Sequence, residues 1–306
     1  MSTLSKIDPS TLGWVKTEID ETLKQARLAL ETYTENTADE STLRFCATYL
    51  HQVFGTLQMV ELDGAALLAR ETEALAESVL NGKIEPEASV IDALIRGILT
   101  LPDYLARLQA GQPDAPLRLL PLLNELRALR GAELLNQLDL FHPDLDVRPP
   151  HGENAAVRLS EDDYLHAARS LRPAFQAILL NWLRDTGNRR YLDELASLIE
   201  RLQQQAPQPL VEQLFWVARG YLDALASGAL AINNDRKTLL ARLEQQLKKI
   251  VNGGDHGLLR NTSEALVRSM LFEVGQAHSA TRHAAEIRRA FALDALLPGG
   301  EEDYGL

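Results

Sequence analysis

Cysteine is almost absent from this chain of 306 residues, in which Cys46 is the only one. A single thiol excludes an intrachain disulfide, and such sparing use of cysteine is typical of proteins in a reducing cytoplasm. Cys46 also falls on an apolar helical stripe, where a lone cysteine usually behaves as a small hydrophobic residue. We therefore predict that Cys46 is a core residue and that the protein is cytoplasmic.

Long apolar runs and basic clusters are missing as well. The sequence has no stretch of about 18 apolar residues, and its N-terminus, MSTLSKIDPS, lacks the apolar segment of a signal peptide, so we expect no membrane insertion and no leader. The net charge of −12, without a dense run of Lys or Arg, excludes nucleic acid and anionic membrane surfaces as partners. The final stretch, LLPGGEEDYGL, reads as a linker and indicates a fragment of a longer chain.

Signatures of catalysis, metal binding and nucleotide binding are also absent. The sequence contains no GxGxxG, P-loop, HExxH or CxxC motif. His142 and His151 lie in a polar segment without cysteine, which makes a poor zinc site. We therefore predict no cofactor and no metal site, and a chain that is itself non-catalytic.

Apolar residues recur at helical spacing along both halves of the chain, and no alternating strand pattern occurs. We predict an all-α fold of two tandem antiparallel bundles, with the fifth helix of the first bundle over about residues 117–138. Asn81-Gly82 and Ser227-Gly228 close the third helices and give an internal repeat with an offset of 146 (228 − 82). The predicted layout is a bundle over residues 1–141, a linker over 142–160, a bundle over 161–297 and a tail over 298–306.

The helix predicted over residues 41–60 carries the most informative pattern, and it is followed by a turn near Asp63 and Gly64. Its apolar stripe consists of Leu43, Cys46, Leu50, Val53, Leu57 and Val60. His51 lies about 130° from the centre of this stripe, with Ala47 and Gly55 one turn away on the same exposed side. A glycine inside a helix costs about 1 kcal/mol relative to alanine. Gly55 therefore serves either close helix packing or the approach of a partner or phosphoryl group to His51.

The segment HQVFGTLQMVELDGAALLARETEAL resembles the signature of histidine phosphotransfer (Hpt) domains. More narrowly, FCATYLHQVFGTLQMVE and GAALLA resemble the N-terminal region of ChpA/PilL-type, CheA-like hybrid histidine kinases of type IV pilus chemosensory systems, to which FimL-type scaffold proteins are similar. The resemblance implies two tandem Hpt-like bundles in twitching-motility signalling, recruitment to the cell pole, and His51 as the candidate phosphoacceptor. Phe54 stands where Hpt domains usually have a lysine that neutralises phosphate charge.

The exposed side of the His51 helix is also a candidate binding surface. Its predicted binding residues are Arg44, Ala47, Gln52, Phe54, Gly55 and Gln58. Phe54 lies between the apolar stripe and His51, where it can act as an apolar anchor. Arg44, two turns before His51, can steer a partner from about 10 Å away. Glu71, on the next helix, is predicted to lie on a solvated face or to contact the docked partner.

The second bundle carries no histidine at the equivalent site. At the offset of 146, His51 corresponds to Ser197 and Gly55 to Arg201, so we expect a binding or spacer bundle. Our functional hypothesis is that the chain is a pseudo-Hpt docking region that binds CheY-like response regulators (receiver domains) or polar pilus scaffold proteins. The alternative is an active phosphotransfer module with His51 as the phosphoacceptor.

Overall fold

The computed structural model describes residues 9–150, 158–253, 262–277 and 281–297. The fold of these residues is all-α, as the periodicity predicts, and they contain no β-strand. The helices are α1 (Pro9–Glu35), α2 (Glu40–Met59), α3 (Asp63–Leu80), α4 (Ala88–Gln109), α5 (Leu120–Leu129), α6 (Glu161–Arg184), α7 (Arg190–Gln204), α8 (Pro209–Ser227), α9 (Asn234–Asn252), α10 (Glu264–Gly275), α11 (Arg282–Ala290) and α12 (Leu293–Leu296). Two 3₁₀ helices, η1 (Pro116–Leu119) and η2 (Gln137–Leu140), lie on either side of α5.

The described residues divide into two compact units. Unit 1 comprises residues 9–142, with which 295–297 are grouped, and unit 2 comprises residues 143–294. In unit 1, α2 and α4 each contact both α1 and α3, so the four helices close around one core. The connections between them are short, which favours an antiparallel arrangement of neighbours. α5 packs across α3 and α4 and completes the unit.

α2 is held in unit 1 by its predicted apolar stripe. The buried residues of this stripe are Leu43, Cys46, Leu50, Val53 and Leu57. Asp39 caps the start of the helix, where its carboxylate accepts a hydrogen bond from the backbone N–H of Ser41. Val60, the last member of the predicted stripe, lies just beyond the helix end. The stripe therefore fixes which side of α2 faces solvent.

The turn between α2 and α3 consists of residues 60–62, slightly earlier than the predicted turn near Asp63 and Gly64. Gly64 instead lies in the first turn of α3, where its N–H donates to Oδ2 of Asp114 at 3.2 Å. A Cβ on Gly64 would lie 2.6 Å from Oδ1 of Asp114 and 2.7 Å from the hydroxyl of Tyr104. Only glycine permits this close approach, which anchors the start of α3.

The predicted helix over residues 117–138 is wrong in its extent. α5 ends at Leu129. Gly131, two residues after that end, adopts a φ of +67°, which does not allow the helix to continue. The side chain of Asn124 then binds the returning chain, because it accepts from the N–H of Leu135 at 2.8 Å and donates to the carbonyl of Leu135 at 3.0 Å. From this turn to residue 142 the chain forms only the short η2.

Unit 2 has a related layout with added helices, although α8 and α9 pack against each other less than α3 and α4 do. α6 contacts α7 and α9, α7 contacts α8, and α10 packs against α8 and α9 as α5 packs against α3 and α4. Gly228 follows α8 with a φ of +80°, as Gly82 follows α3 with a φ of +65°. α11 has no counterpart of similar length in the described part of unit 1, and it packs against α8 and α10.

The described parts of the predicted linker, residues 142–160, contain no helix. Part of this segment is nevertheless bound to unit 2, because Nε2 of Gln213 donates to the carbonyls of Leu145 at 2.7 Å and Val147 at 2.6 Å. His151 lies outside the described residues.

Candidate functional site

His51 lies on the solvent side of α2, as the helical spacing predicts, with 70% of its side chain exposed. Its Nδ1 lies 2.9 Å from Oε1 of Glu73 on α3. An ionised carboxylate only accepts hydrogen bonds, so Nδ1 carries the proton and Nε2 keeps its lone pair. Burial raises the pKa of Glu73, whereas the hydrogen bond from His51 lowers it, as does the charge of the ring when it is protonated. Glu73 thus fixes the tautomer of an exposed imidazole.

Gly55 lies one turn after His51, and the space that a side chain would fill there is empty. No described atom beyond its own stretch of helix lies within 4 Å of the Cβ position. Close helix packing therefore does not explain why a glycine stands inside α2. The glycine leaves a gap that opens to solvent.

We call the surface around this gap the Gly55 surface. It consists of Arg44, Thr48, His51, Gln52, Gly55, Gln58 and Met59, which lie within about 60° of Gly55 around the helix axis. Arg44, Gln52 and Gln58 are exposed, as predicted, and Met59 is 79% exposed. From residue 41 to residue 59 the chain has no Asp or Glu, although its net charge is −12. The Gly55 surface thus combines a gap and an apolar side chain with an absence of negative charge.

Phe54 borders the Gly55 surface and is partly buried. Its ring centroid lies 6.4 Å from that of His51, and the two rings are tilted by 52°. Phe54 also lines a cavity of about 250 Å³, whose other walls include Gln58, Arg70 and His142. A partner side chain that entered this cavity would contact the ring of Phe54. The predicted role of Phe54 as an apolar anchor is therefore compatible with its position.

A second cavity, of about 310 Å³, lies on the other side of His51. Arg44, Thr48 and His51 line it from α2, and Glu73 and Glu77 line it from α3. It therefore places two carboxylates opposite one guanidinium. Among the residues described, no group of three or more His, Cys, Asp or Glu side chains could hold a metal ion.

The prediction that Ala47 lies on the exposed side is wrong, because only 8% of the residue is exposed. α3 approaches α2 on the side of His51, and Ala47 shares a cavity wall with Glu73 of α3. The small side chain thus lies between the two helices, and Ala47 offers a partner little surface.

The prediction for Glu71 is also wrong, because this residue is only 2% exposed and lies neither on a solvated face nor within reach of a partner. Oε1 of Glu71 accepts from Nη1 of Arg127 at 2.7 Å, and Oε2 accepts from Arg130. Arg127 belongs to α5, and Arg130 is the first residue after the end of α5. The paired charges bind α5 to α3, and this contact between distant parts of the chain leaves no signal in the sequence around Glu71.

Comparisons with known proteins relate both units to one scaffold protein. The model of the FimL C-terminal domain matches residues 11–124, and the model of the FimL scaffold protein second domain matches residues 160–303. The scaffold protein FimL of Pseudomonas aeruginosa is 26% identical to the chain over 284 residues, which is 93% of the chain. The chain is a homologue of the scaffold protein FimL. It spans about half the length of that relative, 50% by alignment, and no solved structure matches it significantly.

The two FimL models occur here in the opposite order to their names, because the C-terminal domain model matches unit 1 and the second-domain model matches unit 2. The similarity of unit 1 to Hpt domains and to CheA-like kinases stays a prediction. In the described part of this FimL homologue, no helix is long and apolar enough to span a membrane.

The two halves of this FimL homologue are related by a register that differs from the predicted one at α7. The buried positions of α7 and the following turn are Leu192, Leu195, Ile199, Leu202 and Ala206, with the same spacing as Leu43, Cys46, Leu50, Val53 and Leu57. Their offset is 149 (192 − 43). At this offset His51 corresponds to Glu200 and not to Ser197, and Gly55 corresponds to Gln204 and not to Arg201.

The third helices keep the offset of 146, as Gly82 and Gly228 show, so three fewer residues separate equivalent positions of α7 and α8 than of α2 and α3 (149 − 146). α7 ends at Gln204, before the counterpart of Met59, so the missing residues come from the end of the helix and not from the turn. At the offset of 146 Glu73 corresponds to Arg219. Nη2 of Arg219 lies 3.0 Å from Oε1 of Glu200. The polar pair of His51 and Glu73 therefore recurs in unit 2 as a carboxylate and a guanidinium. The sequence alone could not reveal this pair, because its two members follow different offsets.

Proposed function

We propose that the chain is a docking region of a FimL-like scaffold protein in type IV pilus chemosensory signalling, and that the Gly55 surface binds a globular partner. Homology to a scaffold protein supports a role in binding rather than in catalysis. The resemblance of the α2 and α3 sequences to Hpt domains points to receiver domains as the partner class. Polar pilus scaffold proteins are the other class that this resemblance implies.

The empty space beside Gly55 is the observation that carries the proposal. A glycine at an exposed helical position costs about 1 kcal/mol relative to alanine, and no described contact within unit 1 makes use of the missing side chain. A partner that approaches the α2 backbone closely would use it. Bulk at Gly55 would then block association without affecting the fold.

The charges of the Gly55 surface favour an acidic partner. α2 has no carboxylate after Glu40, and its exposed Arg44 supplies one positive charge. The rest of the chain would repel an acidic protein, because its net charge is −12. A receiver domain, whose reactive site is built from carboxylates, fits the α2 side of this surface, which carries no Asp or Glu and presents the Met59 side chain for apolar contact.

A pull-down against the receiver domains of the same organism tests this proposal. The parent chain and a Gly55→Leu variant serve as baits, and Ala106→Leu, at an exposed position on α4, serves as the matched control for added apolar bulk. We expect the parent chain and the control to retain a receiver domain and Gly55→Leu to lose it. Retention of no receiver domain by any bait, or equal retention by all three, would refute the proposal.

Phosphotransfer at His51 is a second candidate function, and the geometry of the imidazole favours it. With the proton on Nδ1 held by Glu73, the lone pair of Nε2 can attack the γ-phosphorus of ATP bound to a kinase core. The new N–P bond forms as the bond from the γ-phosphorus to the bridging oxygen breaks, and ADP leaves with the electron pair. Glu73 stabilises the positive charge that develops on the ring.

Incubation with the cognate kinase core and labelled ATP, followed by acid treatment, tests this second function. Phosphohistidine is acid-labile, so label on His51 disappears in acid and is absent from a His51→Gln variant. Phe54→Lys supplies a cation near His51 and should raise the rate of labelling. Absence of label from both the parent chain and Phe54→Lys would exclude phosphotransfer and leave the docking proposal intact.

A further inference from the structure

The third helices of the two units share one register, yet one face of this helix is covered in unit 2 and open in unit 1. The covered positions on α8 are Gln213, Trp216, Gly220 and Ala224, all of them buried. Their counterparts on α3 at the offset of 146 are Leu67, Arg70, Ala74 and Ser78, none of them buried. These positions recur at helical spacing and form one stripe on each helix. The difference therefore lies in what packs on the stripe.

α11 covers this stripe in unit 2 from Trp216 onward, and residues 145–147 cover Gln213. A Cβ on Gly220 would lie only 2.7 Å from Cγ1 of Ile287, so the glycine allows α11 to approach α8 closely. Nε1 of Trp216 donates to Oε1 of Glu286 at 3.0 Å. Since later residues of α11 contact earlier residues of α8, the two helices run antiparallel.

Asp223 of α8 holds the first turn of α11. Its Oδ2 accepts from the backbone N–H groups of His283 at 3.1 Å and Ala284 at 3.3 Å, and from the hydroxyl of Thr281. These N–H groups have no partner within their own helix, and a carboxylate there also opposes the positive end of the helix dipole. Asp223 thus caps α11 from a neighbouring helix.

In unit 1 the corresponding surface on α3 carries no α-helix from the described residues. The α3 surface, as we define it, consists of Arg70, Glu73, Ala74 and Glu77, and at the offset of 146 these residues replace Trp216, Arg219, Gly220 and Asp223. Between α5 and residue 142, unit 1 contains only the four-residue η2. The two cavities of about 310 Å³ and 250 Å³ lie at the two ends of the α3 surface, with Glu77 lining the first and Arg70 the second.

We propose that the α3 surface binds a helix of a partner protein, antiparallel to α3, with the first turn of that helix capped by Glu77. Glu77 is exposed, and it has a carboxylate at the position that corresponds to Asp223, which caps α11 in unit 2. The partner helix occupies the place that α11 takes on α8. This goes beyond docking at the Gly55 surface, because it concerns α3 and a different set of side chains.

The substitutions between the units define the chemistry of the bound helix. Glu73 replaces a guanidinium and, beside its bond to His51, favours a cationic residue where α11 has His283. Arg70 replaces an indole N–H donor and accommodates a carboxylate such as that of Glu286. Ala74 adds a methyl group where Gly220 has none, so the helix needs a small residue in place of Ile287. The partner segment is therefore a helix with a cation near its start and an acid followed by a small residue one turn later.

A labelled peptide tests the proposal with the full chain. The peptide has blocked ends and carries residues 281–292 of this chain with the changes His283→Lys and Ile287→Ala, and its binding is followed by fluorescence anisotropy. We expect saturable binding that Glu77→Lys weakens at least about tenfold, since it removes a charge-assisted cap and adds repulsion. Ala74→Leu should abolish binding, and restoring Ile287 in the peptide should weaken it.

Matched controls separate this proposal from general charge attraction and from the Gly55 surface. Asp103→Lys and Ala106→Leu introduce the same changes at exposed positions on α4, and they should leave peptide binding within about twofold of the parent value. Gly55→Leu should also leave it unchanged. No saturable binding, or an equal loss with Glu77→Lys and Asp103→Lys, would overturn the proposal. Self-association of the chain that Ala74→Leu abolishes would assign the surface to a second copy instead, which also overturns it.

Discussion

Nδ1 of His51 and Oε1 of Glu73 lie 2.9 Å apart, and the two side chains differ greatly in exposure, with 70% of the imidazole exposed and 12% of the carboxylate. The hydrogen bond thus joins a solvated ring to a sheltered carboxylate on the neighbouring helix. Burial raises the pKa of Glu73, and the bond to His51 opposes that rise. The pair therefore sets the proton affinity of Glu73 more than it stabilises the fold.

His51→Ala should change the free energy of unfolding by no more than about 0.5 kcal/mol, because the lost side chain is mostly solvated. The same change should raise the pKa of Glu73, since it removes the hydrogen bond that lowers this pKa. An NMR titration of the Glu73 carboxyl and a denaturant melt measure the two effects. Leu50→Ala, at a fully buried position on the same helix, is the control and should cost about 2–5 kcal/mol. A similar loss for His51→Ala would mean that the imidazole supports the fold.

Glu71→Ala should destabilise unit 1 by about 3 kcal/mol, because it leaves Arg127 and Arg130 without their shared partner. This value is at the low end for buried pairs, since each arginine keeps about a fifth of its side chain exposed. Val217 stands at the corresponding place in unit 2, so an apolar contact is compatible with this fold. Glu71→Val combined with Arg127→Leu and Arg130→Met should therefore recover most of the loss in a denaturant melt. No recovery would show that α5 needs the ionic contact.

His283 couples the packing of α11 to pH. Its Nε2 lies 2.8 Å from Nη2 of Arg219, and because a guanidinium only donates, the ring accepts and is neutral. Burial and the charge of Arg219 lower the pKa of His283, with a further lowering by Arg282, whereas Asp223 and Glu286 raise it. The folded pKa thus lies below the ordinary value of 6.5. The stability from the neutral ring is fully present above pH 6.5 and is lost as the pH falls through the folded pKa.

Hydrogen exchange in α11 should therefore become faster between pH 7.5 and pH 5, after correction for the intrinsic pH dependence of exchange. His283→Gln should remove most of this change, because the glutamine carbonyl accepts from Arg219 at both pH values. α1, which is in the other unit and contains no histidine, provides an internal reference. Equal changes in α1 and α11 would show that His283 is not the cause.

Gly55→Ala should leave the stability of unit 1 unchanged or raise it by up to about 1 kcal/mol, because the methyl group enters open space and the helix loses a glycine. Gly97→Ala is the matched control inside α4. A Cβ at Gly97 would lie 2.8 Å from Cγ2 of Thr72, so overpacking should cost about 1–3 kcal/mol. Denaturant melts compare the two variants. Destabilisation by Gly55→Ala would revive the packing explanation for this glycine.

The sequence predicts those features that depend on one helix alone. The spacing of Leu43, Cys46 and Leu50 defines the buried stripe of α2, and the same arithmetic places His51 and Gly55 in solvent. No neighbour was needed for these predictions.

Features that depend on two helices could not be predicted. Glu71 is buried because Arg127 and Arg130 reach it from 56 and 59 residues away, and Ala47 is covered because α3 approaches on its side. Glu200 was missed because α7 ends early and lacks three residues of the repeat before α8 (149 − 146), which only the buried positions reveal.

The dissociation constant of a receiver domain recovered by the chain tests the central claim most directly, when it is measured by calorimetry for the parent and for Gly55→Leu. A docked partner that fills the gap at Gly55 predicts at least about tenfold weaker binding to Gly55→Leu. The thermal melt of this variant should match that of the parent, because no described atom meets the new side chain at its Cβ. Equal affinity of the parent and Gly55→Leu for the receiver domain would contradict the account.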